Sequence, residues 1–370
     1  MKKRGVYVNK KLLPLSWLYG FVVFMRNKFF DWGLLKEKFY DNVHVISVGN
    51  LTVGGTGKTP HIEYLIDLLR PHFRVATLSR GYKRATKGFV LATPNSTFED
   101  IGDEPLQIKH KFPDVIVAVD EDRQHGIDTL LEMKDKPGII LLDDAFQHRY
   151  VKPSFSILLS SYERPIYKDS LLPAGRLREP LSSMERANIV VVTKTPKYLK
   201  PIDIRIIAHE FNIYPYQSLL FTTIDYGNLI SVFSKQDLFS KKELPLMNLM
   251  HRKVLLITGV ASPAAIQEEL GKYTDSIVLR VYPDHHSFTP EDIQAIETAY
   301  REMEDETAVV VVTEKDAVRL IGRKGISDTL KNSMYYLPIK VAFNTMEDKA
   351  LFDKKINRHV RKNPRDLELH

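Results

Sequence analysis

The sequence contains no cysteine, and this absence excludes disulfide bonds and cysteine-ligated zinc. A hydrophobic run long enough to span a membrane is also lacking near the start of the chain. Residues 12–25 are largely apolar, but a bilayer-spanning helix needs about 20 such residues. No A-x-A-like cleavage site follows this run, which argues against a signal peptide. Internal repeats and low-complexity tracts are missing as well.

The composition is that of an ordinary globular protein. The chain has 370 residues, of which 44% are hydrophobic and 27% charged, and this length suits about two domains of roughly 150 residues each. Fifty-three Lys and Arg residues against 46 Asp and Glu residues give a formal net charge of +7. A mildly basic balance favours anionic partners such as nucleotides, phosphates or anionic lipids, without choosing among them.

The N-terminal segment combines basic and aromatic residues. Lys2, Lys3, Arg4, Lys10 and Lys11 precede the apolar run. This pattern predicts an amphipathic helix that lies in a membrane interface, although a helix packed on the protein's own core is the alternative. The aromatic side chains that would anchor the helix are Trp17, Tyr19, Phe21, Phe24, Phe29, Phe30 and Trp32.

From residue 43 onward, short apolar β-branched runs alternate with helix-length segments. Continuous apolar runs of this kind are typical of strands buried on both faces of a mostly parallel sheet. The sequence therefore predicts an α/β protein with a doubly wound sheet, in which ligands bind beyond the carboxyl ends of the strands. The predicted strands of the first series cover residues 43–49, 74–81, 114–120, 138–145, 155–160 and 187–194.

A second, smaller α/β series follows a polar connection at residues 222–250. Thr289 is predicted to cap the helix that begins with Pro290, because Asp and Glu then occupy the first turn. The predicted strands of this series cover residues 253–261, 275–286, 307–317 and 334–343.

A glycine-rich loop joins the first strand to a helix expected at about residues 59–70. The loop reads GNLTVGGTGKTP, so Gly54, Gly55 and Gly57 precede Lys58 and Thr59. A phosphate-binding loop (P-loop) needs such glycines, a lysine for the phosphates and a hydroxyl for Mg²⁺. Thr52 stands where the general G-x-x-x-x-G-K-[ST] motif has its first glycine, yet the neighbouring glycines can supply the turn. The context predicts a nucleotide-phosphate site.

Two carboxylates follow the fourth strand. Asp143 and Asp144 in GIILLDDAFQHR can hold Mg²⁺ directly or through water. The alternative is a purely structural role, in which they cap the turn after the strand. Gln147 and His148 come one turn later and could reach the same ligand.

Several further motifs occur in a recognisable order: LSRGYKR (78–84), GDEP (102–105), DEDR (120–123), LLPAGRLREP (171–180) and PDHH (283–286). Together with the glycine-rich loop and LLDDAFQHR, they resemble the tetraacyldisaccharide 4'-kinase family of lipid A biosynthesis. The resemblance covers most of the chain and is densest at residues 43–195. It implies an ATP- and Mg²⁺-dependent kinase that acts on an acylated glucosamine disaccharide 1-phosphate, without a nucleic-acid partner.

The resemblance also implies residue roles. Asp103 would accept the proton of the attacking hydroxyl, His285 rather than His286 would pair with Asp103, and Lys58 and Asp144 would complete the catalytic set. The nucleotide would lie on Thr52, Val53, Gly54, Gly55, Thr56, Gly57, Lys58 and Thr59. The metal would lie beside Thr59, Asp143, Asp144 and Gln147. Substrate-binding residues would be Tyr82, Glu104, Arg123, His148, Arg178 and Glu179.

These roles suggest a domain organisation. We expect a membrane-associating segment at residues 1–40, a P-loop kinase domain at 41–222, a second α/β domain at 223–345 and a basic tail at 346–370. If His285 pairs with Asp103, the two domains would face each other across the ATP site. The protein is expected to be a monomer, peripherally attached to the cytoplasmic face of the bacterial inner membrane.

Two other functions fit parts of the sequence. A P-loop GTPase would need a guanine-reading N-K-x-D motif. VVVTKTP (190–196) and VVVTEKDA (310–317) resemble that motif only weakly. A soluble small-molecule kinase would tolerate loss of residues 1–35, whereas a lipid kinase would lose membrane association and activity on lipid.

Overall fold

The structure, a computed structural model, describes residues 8–233, 242–260 and 263–362. Lys2, Lys3 and Arg4 of the predicted membrane segment lie outside the described residues, as does the predicted tail from residue 363. Two compact units are present. The first comprises the described residues up to Ser96, Ile108–Ile224 and those from Val341 onward, and the second comprises Thr97–Gln107 and Asp225–Lys340. The functional domain boundaries stay a prediction.

Helices and strands alternate through the first part of the chain. In chain order they are α1 (Leu13–Asp31), β1 (His44–Asn50), α2 (Lys58–Leu69), β2 (Val75–Ser79), β3 (Val90–Leu91), α3 (Phe98–Ile101), α4 (Asp103–Lys111), β4 (Ile116–Val119), α5 (Arg123–Glu132), β5 (Ile139–Asp143), β6 (Phe155–Ser161), β7 (Ile189–Thr193), α6 (Pro201–Phe211) and β8 (Ser218–Tyr226).

The same alternation continues to the end of the described chain. The remaining elements are β9 (Leu229–Ser231), β10 (Glu243–Leu244), β11 (Val254–Thr258), α7 (Ala264–Leu270), β12 (Ile277–Val281), α8 (Pro290–Arg301), β13 (Val309–Thr313), α9 (Glu314–Leu320), α10 (Asp328–Ser333), β14 (Met334–Leu337), β15 (Ile339–Phe343) and α11 (Met346–Val360). Short 3₁₀ turns lie at Lys10–Leu12, Ile166–Lys168, Leu181–Arg186 and Leu246–Leu249.

The larger sheet has the predicted doubly wound, mostly parallel form. Its nine strands among the described residues follow the order β15-β8-β7-β6-β1-β5-β2-β4-β3. β1 lies between β5 and β6 and is parallel to both. The short β3 is antiparallel to its neighbour, β4. Each of the six predicted strands of the first series is present, and the predicted fold class is confirmed.

The smaller sheet follows the order β10-β9-β14-β13-β11-β12. β11 is parallel to β12 and β13, and β9 is antiparallel to β14. The prediction for residues 334–343 was wrong in one respect, because Pro338 divides this run into β14 and β15, which join different sheets. Proline lacks the N–H group that a continuing ladder requires. Residues 222–250 are likewise not only a connection, since β9 and β10 lie there.

Both sheets are covered on both faces, as their continuous apolar strands predicted. In β11, Leu255 and Ile257 belong to one hydrophobic cluster, while Val254 and Leu256 belong to another. Successive strand residues point to opposite faces, so each face of this strand packs against its own core. The predicted cap of α8 is confirmed, because Thr289 Oγ1 accepts the Asp292 amide in a capping box.

Helix α1 packs one face on the first unit and exposes another. Ser16 is buried, and its hydroxyl donates to the Leu171 carbonyl over 2.9 Å. Gly20 lets the helix approach closely, since a Cβ there would lie 2.7 Å from Cδ1 of Leu171. Trp17 and Phe21 are 72% and 61% exposed. Within the described ranges, none of the helices combines the length and hydrophobicity needed to cross a membrane.

A buried histidine of the first unit predicts acid sensitivity. His359 lies on the buried face of α11 with its Nε2 atom 2.9 Å from Ser154 Oγ, and burial lowers its pKa to about 4. The unfolded chain takes up this proton near pH 6.5, so the free energy of unfolding falls as pH drops from about 6.5 towards 4. We expect the melting temperature to fall between pH 7 and 5.5, which thermal unfolding monitored by circular dichroism would measure.

A matched pair of variants isolates this contribution. His359→Gln keeps a hydrogen-bonding group beside Ser154 but cannot titrate, so its melting temperature should fall less between pH 7 and 5.5. His72→Gln removes an exposed histidine and should retain the wild-type pH response. An equal response in both variants would contradict the assignment to His359.

Candidate functional site

The loop between β1 and α2 has the backbone form of an anion site. Gly54 and Gly57 have φ angles of 117° and 84°, which residues with a side chain rarely adopt. Gly57 occupies the N-cap of α2 and provides no side-chain hydrogen bond to the helix. Amides at the start of this helix can therefore face a ligand, and the helix dipole favours a negative charge there.

Thr52 has a structural role in the loop. It is buried and forms an isolated antiparallel bridge with Leu177. The next amide, of Val53, donates to the Arg176 carbonyl over 2.9 Å. The GRLREP segment (residues 175–180) thus pairs with the start of the loop, which explains why a glycine is not required at position 52.

The later part of the loop is fixed by side chains at the strand ends. Asn50 Nδ2 donates to Thr56 Oγ1 over 2.9 Å, and the Thr193 hydroxyl donates to the Thr56 carbonyl over 2.8 Å. Lys194 Nζ donates to the Gly55 carbonyl over 2.8 Å. Because β1 and β7 supply these groups, the loop is held in shape by the sheet itself.

Asp144 is the acidic group that faces the loop lysine. Its Oδ1 atom lies 3.6 Å from Lys58 Nζ, and its Oδ2 atom lies 3.2 Å from an Arg178 nitrogen. Burial alone would raise the pKa of Asp144, but the charges of Lys58, Arg178 and Arg123 outweigh it and lower the pKa. The carboxylate is therefore ionised. Asp144 directly follows β5 and has a φ angle of 51°, so the backbone turns at this residue.

The predicted metal ligands suit Mg²⁺. Among the described residues, Asp144 Oδ1 has no hydrogen-bond partner within 3.5 Å and makes only the 3.6 Å ion pair with Lys58, so this oxygen could also bind a cation. Asp143 is the last residue of β5 and Thr59 is the second of α2. The described chain contains no cluster of three His, Asp or Glu residues suited to a metal. One or two carboxylates suffice for Mg²⁺ when phosphates and water complete the shell.

Gln147 is held beside this group. Its Nε2 atom donates to the Asn50 carbonyl over 2.5 Å, and its Oε1 atom lies 3.4 Å from Arg178. The Gln147 carbonyl in turn accepts from Arg26 of α1 over 2.9 Å. Gln147 therefore links the end of β1 to the GRLREP segment.

The predicted substrate residues of the first unit differ in environment. Burial, and to a smaller extent the positive charge of Arg123, lowers the pKa of His148 to about 4, so its ring is neutral at pH 7. Arg123 is buried and donates to the Asp120 carbonyl over 2.9 Å. Tyr82 lies on the loop after β2 and is 59% exposed, where a substrate can reach it.

Glu179 is engaged by the protein. It is buried, accepts a hydrogen bond from Arg186 and lies 3.7 Å from an Arg26 nitrogen. These contacts connect the GRLREP segment to α1. Glu179 can therefore have a structural role in addition to the predicted contact with substrate.

The second unit contains its own buried acidic centre. Asp103 is the first residue of α4 and is 5% exposed. Its Oδ2 atom lies 2.9 Å from His285 Nδ1. His285 has a φ of 62°, and backbone strain of this kind is often found at functional sites.

Two cations accompany this pair. Arg319 of α9 contacts Asp103 directly, and Lys315 Nζ lies 3.7 Å from the same oxygen. Burial alone would raise the pKa of Asp103. The His285 hydrogen bond and the charges of Lys315 and Arg319 outweigh burial and hold the pKa well below its usual range. Glu104 lies 3.3 Å from Lys315.

The adjacent histidine has a different partner. His286 Nε2 lies 2.7 Å from Asp292 Oδ2, and its ring stacks on Tyr282 with centroids 5.0 Å apart. Of the two neighbouring histidines, the structure therefore places His285 against Asp103. The role of His285 stays a prediction.

The sequence reasoning missed Lys315, Arg319 and Lys194. All three follow the carboxyl ends of parallel strands, β13 and β7, where ligands of α/β sheets bind. That general rule could have indicated all three, but VVVTEKDA (310–317) and VVVTKTP (190–196) were compared only with the guanine-reading motif of GTPases, and Arg319 lies beyond both stretches.

The first unit has the features of a P-loop phosphotransferase. A parallel sheet leads into a glycine-rich loop, Lys58 starts the next helix, and Asp144 lies beside this lysine at the end of a neighbouring strand. The family profile of the tetraacyldisaccharide-1-P 4'-kinases matches residues 8–360. The chain belongs to the tetraacyldisaccharide 4'-kinase family.

Individual relatives agree with this assignment. Tetraacyldisaccharide 4'-kinase of Phocaeicola vulgatus is 49% identical over 368 residues, covering 99% of each chain. The Bacteroides thetaiotaomicron protein of the same name is 51% identical over 371 residues, which cover 99% of this chain and 97% of the relative. A crystal structure of LpxK from Aquifex aeolicus in complex with ATP is 32% identical with a TM-score of 0.73, covering 95% of this chain and 99% of that one.

Proposed function

We propose that the protein transfers the γ-phosphate of ATP to the 4'-hydroxyl of tetraacyldisaccharide 1-phosphate, a step of lipid A biosynthesis. The observation that carries this proposal is the half-buried Lys58–Asp144 pair at a glycine-rich loop, in a chain that matches the kinase family over residues 8–360. Bound Mg²⁺ would neutralise developing charge on the phosphates.

The donor side of the reaction is assigned to the first unit. Amides of residues 54–59 would cradle the phosphates, and the Lys58 ammonium would offset charge on the transferring group. Asp144 is ionised and would hold the metal together with Thr59, while Asp143 and Gln147 support them. Arg178 lies beside Asp144 and supplies a second positive charge for a phosphate.

The acceptor side is assigned to Asp103. The 4'-oxygen forms a bond to the γ-phosphorus while the bond from that phosphorus to the bridging oxygen of ADP breaks. The hydroxyl proton passes to the Asp103 carboxylate. A carboxylate with so low a pKa is a weak base, but a loose transition state needs an oriented hydroxyl more than a strong base. His285 lies against Asp103 Oδ2 and would hold the carboxylate in a fixed orientation for this proton transfer.

Helix α1 supports attachment to a membrane surface. Its inner face is fixed to the GRLREP region, where Tyr19 donates to the Arg178 carbonyl over 2.8 Å. Its outer face presents large apolar side chains to solvent, including Trp17, Leu18 and Phe21. Amphipathic helices with exposed aromatic residues partition into the lipid interface. We propose a peripheral monomer on the cytoplasmic face of the inner membrane, where ATP is available.

The exposed face of α1 can be tested without deleting the helix. The triple variant Trp17→Ser, Phe21→Ser and Phe24→Ser removes apolar surface, and complete burial of each such side chain stabilises by about 1.5–3 kcal/mol. We expect binding to vesicles of phosphatidylethanolamine and phosphatidylglycerol, measured by co-sedimentation, to weaken by about tenfold or more.

A matched triple variant on α6 and the loop before it provides the control. Tyr198→Ser, Ile202→Ser and Ile206→Ser also remove exposed apolar side chains of the first unit, but they should leave vesicle binding unchanged. Wild-type binding by the α1 variant would contradict the proposed membrane contact. Activity of the α1 variant on a short-chain, water-soluble acceptor should remain normal.

A direct assay tests the function itself. Purified protein, Mg²⁺, γ-³²P-labelled ATP and tetraacyldisaccharide 1-phosphate should give a labelled 4'-phosphorylated lipid. Absence of transfer would refute the proposal, and a preference for GTP over ATP in nucleotide binding would instead favour a GTPase-like switch.

A further inference from the structure

Lys315 lies in the centre of the charged cluster of the second unit. It is the second residue of α9, directly after the carboxyl end of β13. Its Nζ atom is 3.2 Å from His285 Nε2, 3.3 Å from Glu104 Oε1 and 3.7 Å from Asp103 Oδ2. A single ammonium group thus reaches the predicted base, its histidine and a predicted substrate residue.

The shorter contacts of His285 favour one arrangement of donors and acceptors. A lysine ammonium only donates hydrogen bonds, so His285 Nε2 must accept from Lys315. An ionised carboxylate only accepts, so Nδ1 must carry the proton that is donated to Asp103. Arg319 lies 3.4 Å from Nδ1, but its guanidinium contacts Asp103 itself and Asp316 at 3.0 Å. A neutral ring protonated at Nδ1 satisfies both Lys315 and Asp103.

We propose that Lys315 is a positioning residue of the phosphotransfer reaction, which holds His285 as the Nδ1-protonated tautomer directed at Asp103. This inference rests on the proposed function of Asp103. In the other neutral tautomer, Nδ1 would present a lone pair to the carboxylate and Nε2 would present a proton to the ammonium. Both contacts would then be repulsive.

The charge state of Lys315 suits this role. Burial alone would lower its pKa, but Glu104, Asp103 and Asp284 outweigh burial and raise the pKa. The ammonium therefore persists through the neutral pH range. Asp284 Oδ1 lies 3.7 Å from Lys315 Nζ and 3.7 Å from His285 Nε2, so the ammonium also offsets the negative charge of this carboxylate beside the ring.

Loss of Lys315 should affect turnover more than nucleotide binding. Without the ammonium, Asp103 still favours a proton on Nδ1, but Asp284, 3.7 Å from Nε2, can then accept a proton from that nitrogen, so the hydrogen bond to Asp103 is formed a smaller part of the time. Hydrogen bonds to charged groups contribute enough to change a rate by about tenfold to a hundredfold. For Lys315→Met we expect kcat to fall by this factor, while KM for ATP changes little.

The experiment uses the full chain and three variants. Lys315→Met removes the donor, Lys315→Arg retains a cationic donor, and Lys324→Met removes an exposed lysine of the same unit. The readouts are kcat, KM for ATP and the ¹⁵N chemical shifts of His285, whose signals are assigned with His285→Gln. We expect an Nδ1-protonated ring in wild type and Lys324→Met, a mixture of tautomers in Lys315→Met and partial recovery in Lys315→Arg.

The two readouts separate this inference from the proposed function. The tautomer is measurable even if the protein fails to phosphorylate the lipid, and that failure would refute only the proposed function. An Nε2-protonated ring in wild type would overturn the role of Lys315, whether or not the variants fold. Unchanged tautomer and kcat in a folded Lys315→Met protein would overturn it as well.

Discussion

Asp103→Asn is expected to lower kcat by about 10²–10⁴-fold, the range for loss of a positioned acid–base group. The amide keeps the size of the side chain but cannot accept the hydroxyl proton. Binding of ATP should be nearly unchanged, because Lys58 and Asp144 are untouched. Initial-rate kinetics with Mg-ATP and the lipid acceptor, together with binding of a fluorescent ATP analogue, would measure both quantities.

The stability of this variant needs its own control. Arg319 loses a carboxylate partner but remains 3.0 Å from Asp316, so its buried charge stays paired. Asp275→Asn, at an exposed position of the second unit, should show wild-type kinetics. A folded Asp103→Asn enzyme with near-normal kcat would show that Asp103 does not receive the proton.

Local sequence patterns predicted the parallel sheet and the donor-site residues because both depend on short stretches of chain. Buried parallel strands need continuous apolar residues, and a phosphate loop needs glycines directly before Lys58 and Thr59. Asp144 was predicted as a donor-site residue because residues at the end of a strand enter the ligand-binding edge. The strands and the loop are local features, whereas the placement of Asp144 beside Lys58 follows from the pairing of β1 with β5.

Contacts between distant parts of the chain were not visible in such patterns. Arg319 and Asp103 are 216 positions apart, and their contact depends on the packing of α4 and α9 within the second unit. The pairing of Thr52 with Leu177 similarly depends on the path of the GRLREP segment. Local propensity also failed at Pro338, where the missing N–H divides one apolar run between two sheets.

Lys58→Met is expected to lower kcat/KM for ATP by about 10²–10³-fold, as for loss of one donor that stabilises transition-state charge. Methionine preserves the bulk of the side chain in the half-buried site but cannot offset phosphate charge. KM should rise and kcat should fall, since in the proposed mechanism the ammonium would contact the phosphates in the ground state and in the transition state. Steady-state kinetics and nucleotide binding would distinguish this pattern from that of Asp103→Asn, which spares binding.

Substitutions at two lysines test whether charge alone explains the effect. Lys58→Arg retains a positive charge but places a wide, planar guanidinium at the start of α2, so we expect it to restore little activity. Lys134→Met removes a lysine charge at an exposed position of the first unit and should leave kinetics unchanged. If Lys58→Arg were fully active, the loop would need only a nearby cation. The 3.6 Å placement of Lys58 against Asp144 argues instead for a compact ammonium at this position.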